Sequence, residues 1–182
     1  MKKHIHILGA SGSGTTTLSE ALCSQLGYFH MDTDQYFWYP TDPPFTDKRP
    51  AEERIRLIQS DMERTDKWIM SGSNCGWGDV FIDLYDLVIF LYVPTEIRME
   101  RLRLREHQRY GNDRLVQGGD LSEHHRAFME WAAGYDNGGM DVRSLLMHNE
   151  WLRHMKCPVL RIEGVQSTEE RLRIALQAIA DD

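Results

Sequence analysis

Between a short apolar run, Ile5 to Leu8, and a helix-like stretch, Thr15 to Leu26, the chain places Gly9-Ala10-Ser11-Gly12-Ser13-Gly14-Thr15-Thr16. A strand that turns through small residues straight into a helix aims successive backbone N–H groups and the helix dipole at one point. A phosphate group fits that point. The spacing Gly-x-x-x-x-Gly-Lys-Ser/Thr is met at Gly9, Gly14 and Thr16. Thr15 stands where a lysine would reach the β- and γ-phosphates. The same glycines also read Gly9-x-x-Gly12-x-Gly14, with Asp32 following at a strand end about 20 residues on, the spacing of a dinucleotide-binding turn. A plain strand–helix turn is the third reading.

The rest of the chain limits these choices. Tyr28 to Met31, Trp68 to Met70, Leu87 to Val93 and Val159 to Ile162 read as further strands. Leu87 to Val93 lacks alternation, as a strand covered on both faces should. Helical spacing runs through Ala51 to Thr65, through a long Arg-rich stretch opened by Pro94-Thr95-Glu96 with Thr95 as its expected N-cap, and through about 121–133 and 141–154. Ser167-Thr168-Glu169-Glu170 is a capping-box start for a last helix. Residues 40–50, with four of the six prolines, read as loop. Strands alternating with helices call for a parallel sheet covered on both faces. The expected fold class is α/β, in a single domain over 1–182.

Charge narrows the partners. With 21 Lys+Arg against 28 Asp+Glu the formal charge is −7, which argues against nucleic acid as a partner because that needs a basic face. No run is apolar enough for a membrane span. The three cysteines, Cys23, Cys75 and Cys157, are scattered and form no CxxC, so a reducing, cytoplasmic setting is expected. Arginine outnumbers lysine 16 to 5, and six arginines fall between Arg98 and Arg114. Arg101 and Arg105, four apart, share one helix face.

The stretch Ile5 to Leu18, then His30-Met31-Asp32-Thr33-Asp34, then Leu87 to Pro94 followed by Arg98, Arg101 and Arg105, together resemble the P-loop kinases of small molecules: adenylate, cytidylate, uridine and shikimate kinases. The resemblance implies a three-layer fold, a five-stranded parallel sheet with helices on both faces and an Arg-rich helical lid, its insertion at about 106–121. It implies ATP and Mg2+, with Gly9, Ser11, Gly12, Ser13, Gly14, Thr15, Thr16 and Thr17 around the nucleotide. Thr16 and Asp32 would then hold the metal, and Asp34 would meet the acceptor hydroxyl as base. Arg101 and Arg105 would close over the triphosphate, and Gly72 with one arginine of the set Arg49, Arg54 and Arg56, Arg54 being the one chosen, would lie against a small-molecule acceptor. The activity implied is transfer of the γ-phosphoryl group to a hydroxyl or phosphate of a nucleoside, nucleotide or shikimate-like acceptor. Thr15 supports a different outcome, a nucleotide-binding regulatory protein with impaired catalysis. The dinucleotide spacing supports an NAD-binding oxidoreductase, although no Tyr-x-x-x-Lys pair accompanies it.

Overall fold

The computed structural model describes residues 1–181. Five strands, β1 (His4–Gly9), β2 (Phe29–Asp32), β3 (Trp68–Ser71), β4 (Leu87–Tyr92) and β5 (Val159–Glu163), form one parallel sheet in the order β2-β3-β1-β4-β5. The helices are α1 (Thr15–Leu26), α2 (Thr33–Phe37), α3 (Ala51–Met62), α4 (Thr95–Tyr110), α5 (Asn112–Leu115), α6 (Ser122–Ala133), α7 (Leu145–Leu152) and α8 (Thr168–Ala180). The fold is the expected α/β arrangement. Because β3 lies between β1 and β2, the order differs from the 3-2-1-4-5 order of dinucleotide-binding sheets. No helix among the described residues is long and apolar enough to cross a membrane.

The period-two rule explains the two cores. Along β1, Ile5 and Ile7 point to one face, where they meet Leu18 and Leu22 of α1 and Ala175 and Ile179 of α8. Leu8 points to the other, packing with Ile58 of α3 and Trp151 and Leu152 of α7. His6 shares that second face, stacked on Tyr85 with ring centroids 4.9 Å apart. The central strands β1 and β4 are buried on both sides, which is why Leu87 to Leu91 is an unbroken apolar run.

Several boundaries differ from the sequence reading, each for a local reason. Pro94, extended at φ −52° and ψ 144°, takes the N-cap position of α4. Thr95 is therefore inside the helix, and its hydroxyl donates to Asp136 Oδ2 at 2.5 Å while accepting from Arg98 Nη2 at 2.8 Å. The stretch 141–154 is helical only over Leu145–Leu152, started by Ser144, whose hydroxyl accepts from the Met147 N–H at 3.0 Å. Helix α3 ends at Met62 rather than Thr65. At α8 the capping box is complete: Glu170 N–H donates to Ser167 Oγ at 3.1 Å and Ser167 N–H to Glu170 Oε2 at 2.8 Å. Strands and helices together leave the carboxyl ends of β1, β2 and β3 opening on the same side, where α/β sheets hold ligands.

Candidate active site

A cleft of about 1480 Å³ opens over those strand ends. Its volume exceeds the roughly 300–1,000 Å³ of a single small-ligand pocket, so two small substrates fit side by side. Seven cationic side chains line it against four carboxylates, in a chain whose total charge is −7. The acidic surplus lies elsewhere on the surface. The cleft itself is built for anions.

The glycine-rich loop forms one wall. Gly12 and Gly14 have φ of +82° and +94°, a region that favours glycine, and Gly14 leads directly into α1. A Cβ on Gly12 would sit 2.8 Å from the Arg98 carbonyl oxygen. From α4 and α8, three arginines take up three consecutive loop carbonyls. Arg98 Nη1 donates to Ser11 O at 3.3 Å, Arg101 Nη1 to Gly12 O at 3.4 Å and Arg171 Nη1 to Ser13 O at 2.6 Å. Ser13 departs from the expected nucleotide contacts: it is fully buried, lies outside the cleft lining and spends its N–H on the Ala10 carbonyl at 3.0 Å, closing the turn. Arg171, from α8, is 5% exposed and was not marked in the sequence, because nothing local connects it with a loop nearly 160 residues earlier.

Thr16, at the start of α1, faces the end of β2. Its hydroxyl donates to Asp32 Oδ2 at 3.4 Å. The other carboxylate oxygen, Oδ1, accepts from the Asp34 N–H at 3.0 Å and so caps α2. The Asp-x-Asp pattern thus has a structural as well as a chemical reading. Asp34 itself opens to the cleft, but the walls crowd it. Burial, with Asp32 beside it, raises its carboxyl above the ordinary value, while Arg143, Arg105 and Arg109 pull it back down. A hydroxyl of threonine and a carboxylate at this separation form the hard oxygen donor set that Mg2+ takes.

Of the remaining expected residues, Thr15, Thr17, Gly72, Arg101 and Arg105 all line the cleft. Arg105 also contacts the buried Glu106, Nη2 to Oε1 at 3.3 Å. Arg54 stands apart. Its Nε donates to the Arg49 carbonyl at 2.7 Å and its guanidinium lies 3.7 Å over the Phe37 ring, which leaves it 9% exposed and outside the cleft lining. Arg49 is the residue of that segment that reaches the cleft, where it also donates to the Gln35, Tyr36 and Trp38 carbonyls at the end of α2. Lys48 and Arg143 were not marked in the sequence, and Arg109 was marked only as one of the six arginines between Arg98 and Arg114. Each sits over an aromatic ring: Lys48 over Trp38, Arg109 over Phe45 and Arg143 over Trp131, at 5.8, 5.3 and 5.4 Å.

Gly72, after β3, has φ +97°, and a Cβ there would fall 2.0 Å from Thr33 Oγ1, the first residue of α2. Gly72→Ala is expected to destabilise the protein by about 1–3 kcal/mol through strain alone. Thr33 is 1% exposed and cannot swing away, so α2 and Asp34 move with it. Thermal denaturation reads the first effect, and loss of turnover beyond that seen at matched stability reads the second.

A family model described as "AAA domain" matches residues 5–122. The chain belongs to the AAA-domain family. An uncharacterized protein of Bacillus subtilis (strain 168), YqaC, is 49% identical to this chain over 182 residues, the whole of both chains. Two solved structures share the fold of this AAA-domain protein. The shikimate kinase of Bacteroides thetaiotaomicron matches with a TM-score of 0.59 at 16% identity, over 98% of this chain and 99% of that one. A gluconokinase of Sinorhizobium meliloti 1021 matches with a TM-score of 0.51 at 18% identity, over 98% and 91%. The architecture is that of the P-loop kinases.

Proposed function

We propose that this protein is an ATP-dependent small-molecule kinase that transfers the γ-phosphoryl group to a hydroxyl of a small acceptor in the Asp34 half of the cleft. The observation that carries the reading is the double use of Asp32. One oxygen faces Thr16 at the loop and the other fixes the Asp34 backbone, so a single carboxylate joins the nucleotide side to the acceptor side. Thr16 and Asp32 would hold Mg2+, which neutralises phosphate charge when bound. The loop amides of Ser11, Gly12, Gly14, Thr15 and Thr16 bind the phosphates, and Arg101 and Arg105 stand where negative charge grows on the transferring group. Asp34, its carboxyl raised toward neutrality, takes the proton of the acceptor hydroxyl. The fold shared with a shikimate kinase and a gluconokinase supports hydroxylated acids as the first acceptors to try. Shikimate, D-gluconate and nucleosides incubated with ATP and Mg2+ are expected to yield ADP with at least one of them. No turnover with any acceptor, with Asp34→Ala indistinguishable from the wild type, overturns the reading.

Thr15 favours a second reading, a protein that binds nucleotide without turning it over. The two differ in one measurement. ATP·Mg2+ is expected to raise the melting temperature under both, because a ligand of the folded state stabilises it according to its affinity, but ADP accumulates only under the first. Thr15→Lys adds the charge the loop lacks, and it is expected to lower the KM for ATP by roughly tenfold, about 1.4 kcal/mol of binding. Titration of ATP at saturating acceptor checks this.

A further inference from the structure

Under the floor of the cleft, three side chains form a hydrogen-bonded row. The Tyr135 hydroxyl lies 2.7 Å from His148 Nδ1, and His148 Nε2 lies 3.0 Å from Ser73 Oγ. Tyr135 and His148 are 3% and 0% exposed, closed in by α7 and the end of α6. Ser73 is the member that reaches the cleft, directly after Gly72. None of the roles assigned above uses this row.

The direction of the row follows from donor and acceptor counting. A neutral imidazole has one N–H and one lone pair, and both His148 nitrogens have hydroxyl partners. His148 is neutral, since burial pushes it down to about 3 and the nearby Arg143 acts the same way. Burial also keeps the Tyr135 phenol protonated by raising its pKa. That phenol has a hydrogen to place, and among the described residues His148 Nδ1 is its one hydrogen-bond partner. An O–H left without an acceptor in a dry interior is disfavoured, so Tyr135 donates to Nδ1. The proton of His148 is then on Nε2, which donates to Ser73 Oγ. Ser73 consequently keeps its own hydroxyl hydrogen for another partner. The partner within the protein is the neighbouring Cys75 sulfur: burial pushes that thiol up to about 11 while a hydrogen bond from Ser73 opposes the rise, and sulfur is a weak acceptor that a ligand oxygen displaces. The cleft is the better destination.

We propose that Ser73 is an acceptor-binding residue and that Tyr135 and His148 are the positioning residues that fix its hydroxyl as a donor into the cleft. The ligand atom it takes is an unprotonated oxygen, carboxylate or phosphoryl, on the molecule whose hydroxyl meets Asp34. Arg143, which acts electrostatically on both Asp34 and His148, supplies the matching charge. A hydroxyl presented to Ser73 instead would be the poorer partner, because Ser73 is committed to donating. This assignment rests on the kinase reading, but its mechanism can be examined apart from it.

The first experiment reads the histidine tautomer by nitrogen-15 NMR of the full chain, with His148 assigned through His148→Gln. The expected wild-type signal is a single Nε2–H tautomer, and in Tyr135→Phe it moves toward exchange between both tautomers. A wild-type Nδ1–H tautomer overturns the proposal whatever the protein phosphorylates. The second compares acceptors carrying a carboxylate, shikimate and D-gluconate, with one carrying a phosphate, glycerol 3-phosphate. Whichever class is turned over names the oxygen. Ser73→Ala is expected to raise the KM for that acceptor by about tenfold or more, the scale of one lost hydrogen bond to a charged group, with the KM for ATP unchanged. Tyr135→Phe is expected to raise it less, and the double variant no further than Ser73→Ala alone. Equal shifts in both KM values, or none, overturn it as a general packing effect. No turnover in either arm brings down the kinase reading and Ser73's acceptor role with it, while the tautomer result still stands or falls by itself.

Discussion

Asp34→Asn is expected to lower turnover by about 100-fold or more, the scale of a lost general base, while the protein folds normally. The substitution keeps the size and shape of the side chain, and the backbone N–H of residue 34 still bonds to Asp32 Oδ1 to hold α2 in place. What disappears is the ability to accept a proton. The sign of the stability effect is informative. The folded-state pKa of Asp34 is raised by burial and by Asp32, so the folded protein binds this proton more tightly than the unfolded chain does. Folding is therefore favoured as pH falls through that raised value and is weakened above it. At pH 7 the wild type holds an unwelcome charge, and the amide relieves it. The melting temperature of Asp34→Asn should equal or exceed that of the wild type at pH 7. The advantage should vanish at low pH, where wild-type Asp34 is itself protonated. The pH profile of kcat/KM gives a second check, since its acid limb should fall at a higher pH than an ordinary aspartate would set. Full activity in the variant, or a large loss of stability, would remove Asp34 from the role of base.

The parts of this site that could be read from sequence are those whose logic is local. Gly9, Gly14 and Thr16 sit a few residues apart in one turn, and their spacing alone specifies a loop that cradles an anion. Asp32 and Asp34 are legible for the same reason, although the capping bond that makes Asp32 the end of β2 and the start of α2 was hidden in a stretch too short to show helical periodicity. The sheet was readable because buried parallel strands are apolar throughout.

Arginines are a different matter. Six of them crowd residues 98–114, and sequence cannot say that Arg98 turns inward to bind backbone while Arg105 opens to the cleft. Arg54 looked equivalent to Arg49 by position. The Arg49 carbonyl and the Phe37 ring take up Arg54, and Arg49 is left to line the cleft. Arg143 and Arg171 reach the site from α7's approach and from α8, and only the folded chain brings them to the cleft. The Tyr135–His148–Ser73 row shows the same limit, because its members are 13 and 75 residues apart.

Arg98→Met should be the most destabilising single change among the site's supports. The side chain is wholly buried, and its guanidinium donates to the Val93 carbonyl at 3.1 Å, the Ala132 carbonyl at 3.2 Å, Ser11 O at 3.3 Å and Thr95 Oγ1 at 2.8 Å. It also lies over the Tyr135 ring at 5.1 Å. Burial lowers its pKa, and the carboxylate of Asp136, 3.9 Å away, opposes that shift. Methionine matches part of the volume but donates no hydrogen bond. Three buried carbonyls and the Asp136 carboxylate then lose a partner together, and removing one member of a buried charged network typically costs about 3–5 kcal/mol. For a chain of this length each kcal/mol shifts the melting temperature by about 2–4 °C, so the expected drop is roughly 6–20 °C. Arg171→Met separates stability from loop geometry. Arg171 holds Ser13 O and Gly164 O and takes no part in the Val93–Ala132 network, so it should destabilise less than Arg98→Met. Both should weaken ATP binding, because each releases a loop carbonyl that the arginine now braces. Calorimetric titration of ATP at a temperature where both variants are folded is the measurement. If Arg171→Met binds ATP as the wild type does, the arginine scaffold supports the fold alone, and the loop holds its shape without it.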